Sequence, residues 1–128
     1  IRLDTYTIPT EKFKTEYDKA ESEKKVQMNI DKFIQMVNRH DYKTSYNCIA
    51  DGFKNNYFDT QDKFENYIKN AFFEYNNFEF ENIQQKGNNL YTCTVTLTDL
   101  TGNSNDTKKI TIIMQLNDNY DFKMSFSV

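Results

Sequence analysis

The segment NRHDYKTSYNC, residues 38–48, brings an arginine, the chain's single histidine, an aspartate and a cysteine into eleven positions. Side chains of these types act as nucleophiles, general bases and metal ligands. A metal site needs several ligands at matched spacing, and the sequence supplies neither a second histidine nor closely spaced cysteines. His40 and Cys48 would lie about 12 Å apart along one helix, beyond the hydrogen-bond reach of a nucleophilic Cys–His pair. We therefore predict no catalytic residue, no metal site and no cofactor.

The same segment is typical of a junction between two helices. Asn38, Arg39 and His40 are expected to end the preceding helix, where a cationic His40 would complement the helix dipole. Asp41 is a good N-cap residue for a following helix, because its carboxylate can accept a hydrogen bond from a free backbone N–H group. We predict such a junction here, and with it a structural role for His40 and Asp41.

Composition limits the classes of protein to which the chain can belong. Its 128 residues fit one domain, and the 11 Phe and 9 Tyr must supply much of the core, since apolar residues make up only 38%. A nucleic-acid partner would require clustered lysine and arginine, whereas the net charge is −3 and no tract is basic. No apolar run approaches the roughly 20 residues of a membrane span. Membrane contact is therefore expected only through a segment absent from this chain.

Two cysteines, Cys48 and Cys93, are too few for a disulfide framework. We expect both to pack as small apolar side chains. A Cys48–Cys93 disulfide is the alternative if the domain is exported. The intact mass with and without reductant distinguishes the two arrangements.

The first 22 residues differ in pattern from the rest of the chain. The sequence begins at Ile1-Arg2 rather than at Met, and residues 1–9 show no apolar period. Thr10 is placed to cap a polar helix in which the charges balance. We interpret residues 1–22 as a leader or stalk helix that follows a membrane anchor missing from this chain; a removed signal peptide and an arbitrary fragment boundary are the alternatives. This interpretation predicts an extracytoplasmic location, with the domain itself in residues 23–128.

Apolar residues recur at helical spacing in three segments of the domain. The stripe of the first segment is Val26, Ile30, Phe33, Ile34 and Val37. A second helix is predicted from Asp41 to Gly52, since glycine often follows the last turn of a helix. Residues 53–58 are predicted to connect it to a third helix, which Asp59 or Thr60 caps.

After Phe73 the apolar period changes from about 3.6 to about 2 residues, which predicts β-strands. A first strand ends near Gln85, and residues 87–89 form a hairpin turn because Gly and Asn tolerate positive φ. A polar loop at residues 101–106 and a turn at residues 117–119 separate three further strands. Three N-terminal helices followed by four antiparallel strands with one apolar face predict an α+β fold, in which the helices cover one side of the sheet.

This order of elements resembles the nuclear transport factor 2-like superfamily. In residues 30–73, NRHDY ends one helix, DYKTSYNCIADGFK forms a short second helix and FDTQDKF begins a third. The positions similar to a motif of small bacterial members are Asp41-Tyr42, Tyr46, Ile49 and Phe53. The resemblance implies a cone in residues 23–128, with helices in the concave face of a curved four-stranded sheet. It implies little about activity, since the superfamily includes isomerases, dehydratases, binding domains and extracytoplasmic assembly domains.

The predicted interior of the cone decides between an enzyme and a binding domain. An enzyme resembling ketosteroid isomerase needs a carboxylate base there, together with acidic donors for an oxyanion. The inward strand positions carry no Asp, Glu, His or Lys, and Glu79 and Glu81 fall on the opposite face. We therefore predict a non-enzymatic domain, with an isomerase-like enzyme as a less favoured alternative. A small apolar ligand is a further alternative, and its candidate pocket is lined by Tyr46, Phe80, Tyr91, Met114 and Met124.

The opposite face of the predicted sheet is rich in threonine and is the candidate protein interface. Members of the superfamily often dimerise or dock partners through this surface. The candidate interface residues are Thr94, Thr96, Thr111, Ile113 and Gln115. Ile113 is the expected apolar anchor, although a threonine-rich face is also typical of an ordinary solvated sheet. The leading prediction is an extracytoplasmic binding or assembly domain of a bacterial protein, in contact with a protein partner or a second copy of itself.

Overall fold

The computed structural model of the chain describes residues 11–117 and 122–127, and in these ranges the helices precede the strands. The helices are α1 (Glu11–Lys19), α2 (Ser22–Asn38), α3 (Tyr42–Asn47), α4 (Asp51–Tyr57) and α5 (Gln61–Ala71). The strands are β1 (Asn76–Gly87), β2 (Leu90–Asp99), β3 (Thr107–Leu116) and β4 (Phe122–Phe126). The α+β class predicted from the sequence is confirmed.

The described strands form one antiparallel sheet in the order β1-β2-β3-β4. Side chains along β2 and β3 alternate between buried and more exposed positions, and the two strands are in register, with Val95 opposite Ile110 and Cys93 opposite Ile112. The α2 stripe packs into the same core and is fully buried: Val26, Ile30, Phe33, Ile34 and Val37. The predicted apolar face is therefore the inner face, and the outer face remains partly exposed.

The hairpin between β1 and β2 is confirmed. Asn88 and Asn89 connect the strands, and Asn89 has a φ of 59°, which an asparagine tolerates. β1 continues to Gly87, two residues beyond the predicted end, and its register shifts between Phe80 and Asn82. The predictions that concern Thr10, residues 118–121 and Val128 lie outside the described residues.

The prediction of a single helix that ends at Gly52 is wrong. α3 already ends at Asn47, and Gly52 is the second residue of α4, which occupies most of the predicted connector. The break arises because this segment bonds to β4: the Ala50 N–H donates to the Met124 carbonyl at 2.8 Å, and the Met124 N–H donates to the Cys48 carbonyl at 2.9 Å. A backbone engaged in such a bridge cannot continue the α3 hydrogen-bond ladder.

α1 lies in the predicted leader and packs against α2. Tyr17 is buried, and its hydroxyl accepts a hydrogen bond from the Asn29 side-chain amide at 3.2 Å. The Phe13 ring lies 5.5 Å from the Tyr17 ring, and Lys32 Nζ lies 4.7 Å from the Phe13 centroid. Within the described part of the chain, no helix is both long and apolar enough to span a bilayer.

Two overlapping motifs join α2 to α3. The His40 N–H donates to the Val37 carbonyl and the Asp41 N–H donates to the Met36 carbonyl, both at 2.9 Å. With His40 at a φ of 58°, this is a Schellman motif whose left-handed position is a histidine. The Asp41 carboxylate then accepts from the Thr44 N–H at 3.2 Å and caps α3. The predicted junction is confirmed.

Replacing the cap of α3 should measurably destabilise the fold. We expect Asp41→Ala to lower the free energy of unfolding by about 1 kcal/mol, because the Thr44 N–H loses its acceptor. Urea unfolding followed by circular dichroism measures this change. Asp41→Asn keeps a side-chain oxygen and should remain close to the wild type. An alanine variant as stable as the wild type would contradict the capping role.

Both cysteines are free and buried. Cys48 Sγ lies 3.9 Å from Met36 Sδ, and Cys93 is on the inner face of β2. Burial raises the pKa of Cys93 to about 11, so this group remains a thiol at neutral pH. The expected packing as small apolar side chains is confirmed, and the alternative disulfide is not formed in this structure.

Candidate functional site

Three of the residues predicted to line an apolar pocket belong to the packed core. Tyr91, Met114 and Met124 are all buried, and all three are part of the main hydrophobic cluster. Met114 and Met124 are directly opposite each other on β3 and β4. None of the three lines any of the cavities described below, and their side chains contribute to the filling of the inner face.

The other two predicted pocket residues, Tyr46 and Phe80, are partly buried and lie in different places. The Tyr46 hydroxyl donates to the Phe58 carbonyl at 2.6 Å, and its ring packs 5.5 Å from Phe64. The Phe80 ring meets Phe78 edge to face at 5.4 Å, and both line a cleft of about 220 Å³ beside α2. The structure therefore does not bring the five residues together in a described cavity, and ligand binding by them stays a prediction.

The predicted interface residues lie together on the outer face of the sheet. Thr94, Thr96, Thr111 and Ile113 are partly exposed, and Gln115 is exposed. Thr94 is directly opposite Thr111, with their hydroxyl oxygens 3.4 Å apart, and Thr92 is opposite Ile113. The residues form a continuous strip of short, uncharged side chains along β2 and β3.

Charged residues on β1 and β3 flank the Thr96 end of this strip. Glu79 on β1 is opposite Thr96, and Thr96 is in turn opposite Lys109 on β3. Lys109 Nζ also lies 3.3 Å from Glu81 Oε1 in an exposed ion pair. A groove of about 510 Å³ opens beside the strip and is lined by Asn77, Phe78, Glu79, Thr96, Thr98 and Thr107.

A second surface site lies where α2 ends, α3 begins and α5 leads into β1; we call it the helix-end pocket. It has a volume of about 410 Å³. Its lining residues are Val37, His40, Tyr42, Ile68, Lys69, Phe73 and Glu74. Val37 and Ile68 are buried, whereas Lys69 and Glu74 are exposed. The pocket thus combines an apolar interior with charges of both signs at its rim.

Aromatic rings form one wall of the helix-end pocket. His40 and Tyr42 both line it, with nearly parallel rings 6.1 Å apart, and the His40 ring also lies 5.2 Å from Tyr75, which is outside the lining. His40 Nε2 is 3.1 Å from the Glu74 carbonyl oxygen. Because a carbonyl only accepts hydrogen bonds, the tautomer protonated at Nε2 makes this contact, and in that tautomer Nδ1 is an acceptor. From its left-handed position at the end of α2, the His40 ring thus reaches the α5–β1 connection.

Burial, together with nearby negative charges, keeps the Tyr42 hydroxyl protonated. Burial raises the pKa of Tyr42, and the negative charges of Glu65 and Glu74 raise it further. Lys69 Nζ lies 5.8 Å from the centroid of the same ring, within the range of a cation–π contact. The pocket therefore offers a neutral phenol, an imidazole acceptor, an ammonium and a carboxylate.

Asn76 ties two walls of the helix-end pocket together. Its backbone N–H and its side-chain amide both donate to Asn38 Oδ1, at 2.7 and 3.0 Å, and Asn38 Nδ2 donates to the Asn76 carbonyl at 3.1 Å. The Phe73 N–H donates to Asn76 Oδ1 at 2.8 Å, and Asn76 Nδ2 donates back to the Phe73 carbonyl at 2.9 Å. The end of α2 is thereby fixed to the segment that carries Phe73 and Glu74.

Neither a group of metal-ligating side chains in the described residues nor a matching known protein indicates a function for the chain. In the residues that the structure describes, no group of three or more His, Cys, Asp or Glu side chains could hold a metal ion. No family model, curated protein or solved structure matches the chain. The superfamily resemblance, the extracytoplasmic location and the membrane anchor therefore stay predictions. Function has to be inferred from the surfaces of the chain itself.

Proposed function

We propose that this chain is a non-enzymatic binding domain that acts through protein–protein contacts on the outer face of its sheet. Its partner at this face is a second copy of the chain. The observation that carries the proposal is the strip on β2 and β3. Its outward positions from Thr92 to Thr96, and from Thr111 to Ile113, carry only threonine and isoleucine. Two such faces can pack about 10 Å apart, and short β-branched side chains lose little entropy on burial.

The flanking charges are complementary between two copies. Most closed oligomers contain twofold axes, and an axis parallel to β2 would place β1 of each copy over β3 of the other. This rotation does not shift residues along the strand direction. The row of Glu79, Thr96 and Lys109 in one copy therefore faces the same row of the other copy in reverse order. Glu79 of each copy then faces Lys109 of the other copy, and the outward threonines of β2 from the two copies meet at the axis.

The size of the face predicts a weak association. In this arrangement β1, β2 and β3 overlap; three strands about 4.8 Å apart, with about ten residues each rising about 3.4 Å, present roughly 500 Å² per copy. This area is below the roughly 800 Å² per partner of a standard stable interface. We therefore expect a dissociation constant on the order of 10–100 µM.

A charge swap tests the proposed arrangement. Glu79→Lys and Lys109→Glu should each weaken self-association by roughly tenfold, because each places two like-charged pairs across the axis. The double variant restores opposite charges and should recover most of the affinity. Sedimentation velocity over a concentration range that spans the expected dissociation constant measures the effect.

The matched control is Lys63→Glu, which makes the same charge change as Lys109→Glu on the exposed surface of α5. It should leave self-association unchanged. Two results would overturn the proposal: a wild-type chain that stays monomeric throughout the range, or a double variant as weak as the single variants.

A further inference from the structure

We propose that the helix-end pocket binds free aromatic amino acids, with the ring inside the pocket and the two charged groups at its rim. Its volume of about 410 Å³ falls in the usual range for small-molecule sites, about 300–1,000 Å³. Val37 and Ile68 line it but are only 1% and 2% exposed, so its accessible apolar surface belongs mainly to the partly exposed rings of Tyr42 and Phe73. An apolar ligand group is therefore preferred there over a polar one.

The wall of the pocket favours a planar ring over an aliphatic chain. Tyr42 and His40 line the pocket as a row of two nearly parallel rings, and Phe73 adds a third aromatic ring to the lining. Aromatic pairs gain about 0.5–1.5 kcal/mol beyond their buried area, so a ligand ring that joins the row is stabilised. His40 Nδ1 provides an acceptor for a ring N–H or hydroxyl group, such as those of tryptophan and tyrosine.

The rim selects the charged part of the ligand. Lys69 and Glu74 both line the pocket, and both side chains are exposed. One can hold a carboxylate and the other an ammonium group, so an α-amino acid satisfies both charges. A purely anionic or cationic aromatic compound would satisfy one and be repelled by the other. The site is on the helical side of the molecule, and it does not depend on self-association through the outer face.

The composition of the chain makes a direct test available. It contains no tryptophan, so the emission of an indole ligand, excited outside the tyrosine absorption band, reports only on the ligand. Tryptophan should show increased fluorescence anisotropy with a dissociation constant of about 0.1–1 mM. Tryptophanamide lacks the carboxylate and N-acetyltryptophan lacks the ammonium group, so each should bind about two- to fivefold more weakly.

Two rim variants assign the charges. Lys69→Gln should make the affinities for tryptophan and tryptophanamide equal. Glu74→Gln should make the affinities for tryptophan and N-acetyltryptophan equal. Lys63→Gln, on the same helix as Lys69, should change neither ratio. Since all three positions are exposed, the variants should fold as the wild type does, and thermal unfolding verifies this.

Several outcomes would overturn the proposal. An unchanged anisotropy of tryptophan at millimolar protein concentration would exclude binding. Equal affinity for the three probes would exclude recognition by the rim charges. Tightest binding of tryptophanamide would instead assign the pocket to the N-terminal residue of a peptide. None of these results bears on the sedimentation test, so failure here leaves the proposed self-association intact.

Discussion

Phe126→Ala should lower the free energy of unfolding by about 3–5 kcal/mol. Phe126 is 2% exposed, and in the described residues five aromatic rings have centroids 5.0–6.5 Å from its own. They are Phe33, Phe53, Phe58, Tyr67 and Phe72. These rings come from α2, α4, α5 and the segments that flank α5, so one side chain of β4 joins most of the helical layer to the sheet.

Removal of the ring leaves a large cavity, and the five neighbouring rings are too bulky to move into it and fill it. We therefore expect a loss in the upper part of this range. Since domains of this size are stable by about 5–15 kcal/mol, the variant should retain little of its stability. Guanidinium unfolding monitored by circular dichroism measures the loss. Phe126→Leu keeps most of the apolar volume and should lose clearly less.

The matched control for Phe126 is Tyr57, an aromatic residue of α4 that is 52% exposed. Tyr57→Ala should cost less than about 1 kcal/mol, because a largely exposed ring leaves no core cavity. If Phe126→Ala and Tyr57→Ala were equally mild, Phe126 would not be the centre of the core.

Features that depend on local sequence periodicity could be predicted from the sequence. The α2 stripe and the alternation along β2 and β3 are set by the 3.6- and 2-residue repeats of the backbone, so each pattern needs only its own segment. Asp41 belongs to the same class, since an N-cap accepts a hydrogen bond from a residue three positions ahead. For this reason the fold class, the faces of β2 and β3 and the α2–α3 junction are all as predicted.

Features that depend on distant partners were missed. The break before α4 requires Met124, which is more than 70 positions from Cys48 and Ala50. Without that contact, Gly52 is the only visible signal for a helix end, and it gave the wrong boundary. The alternation of inward and outward positions predicted which strand side chains face the core. It did not predict that rings such as Phe126 fill the interior.

The helix-end pocket was hidden for the same reason. His40 and Tyr42 were already singled out in the opening segment, but the side chains opposite them, Lys69 and Glu74, come from a different part of the chain. The available signal was the histidine at a left-handed position, where glycine or asparagine is usual. The partly exposed ring held there reaches the α5–β1 connection, which marks the junction as a place where a surface site can form.

Asn76→Asp should destabilise the fold by at least about 3 kcal/mol at neutral pH. Asn76 is 3% exposed, and its Nδ2 donates to Asn38 Oδ1 and to the Phe73 carbonyl. An ionised carboxylate cannot donate, so oxygen would face oxygen at both contacts and a charge would be buried. The substitution changes the volume very little, so the loss measures hydrogen bonding and charge rather than packing.

The pH dependence of this variant gives the sign of the effect. Burial among acceptors should raise the folded-state pKa of the introduced carboxyl above its unfolded value of about 3.9. Between these two pKa values the folded state binds more protons than the unfolded state, so the stability of the variant should fall as pH rises through that range. It should recover partly at acidic pH. The wild-type asparagine has no such titration, so the difference between variant and wild type isolates this group.

Asn77→Asp is the matched control, because it makes the same chemical change at the exposed neighbouring position. It should cost less than about 0.5 kcal/mol. Equal stability of the two aspartate variants would contradict the role of Asn76.

Because Asn76 fixes the end of α2 to Phe73, its loss should also weaken tryptophan binding under conditions where the variant is still folded. Asn77→Asp should leave that binding unchanged, which separates the geometry of the pocket from the charge added near it.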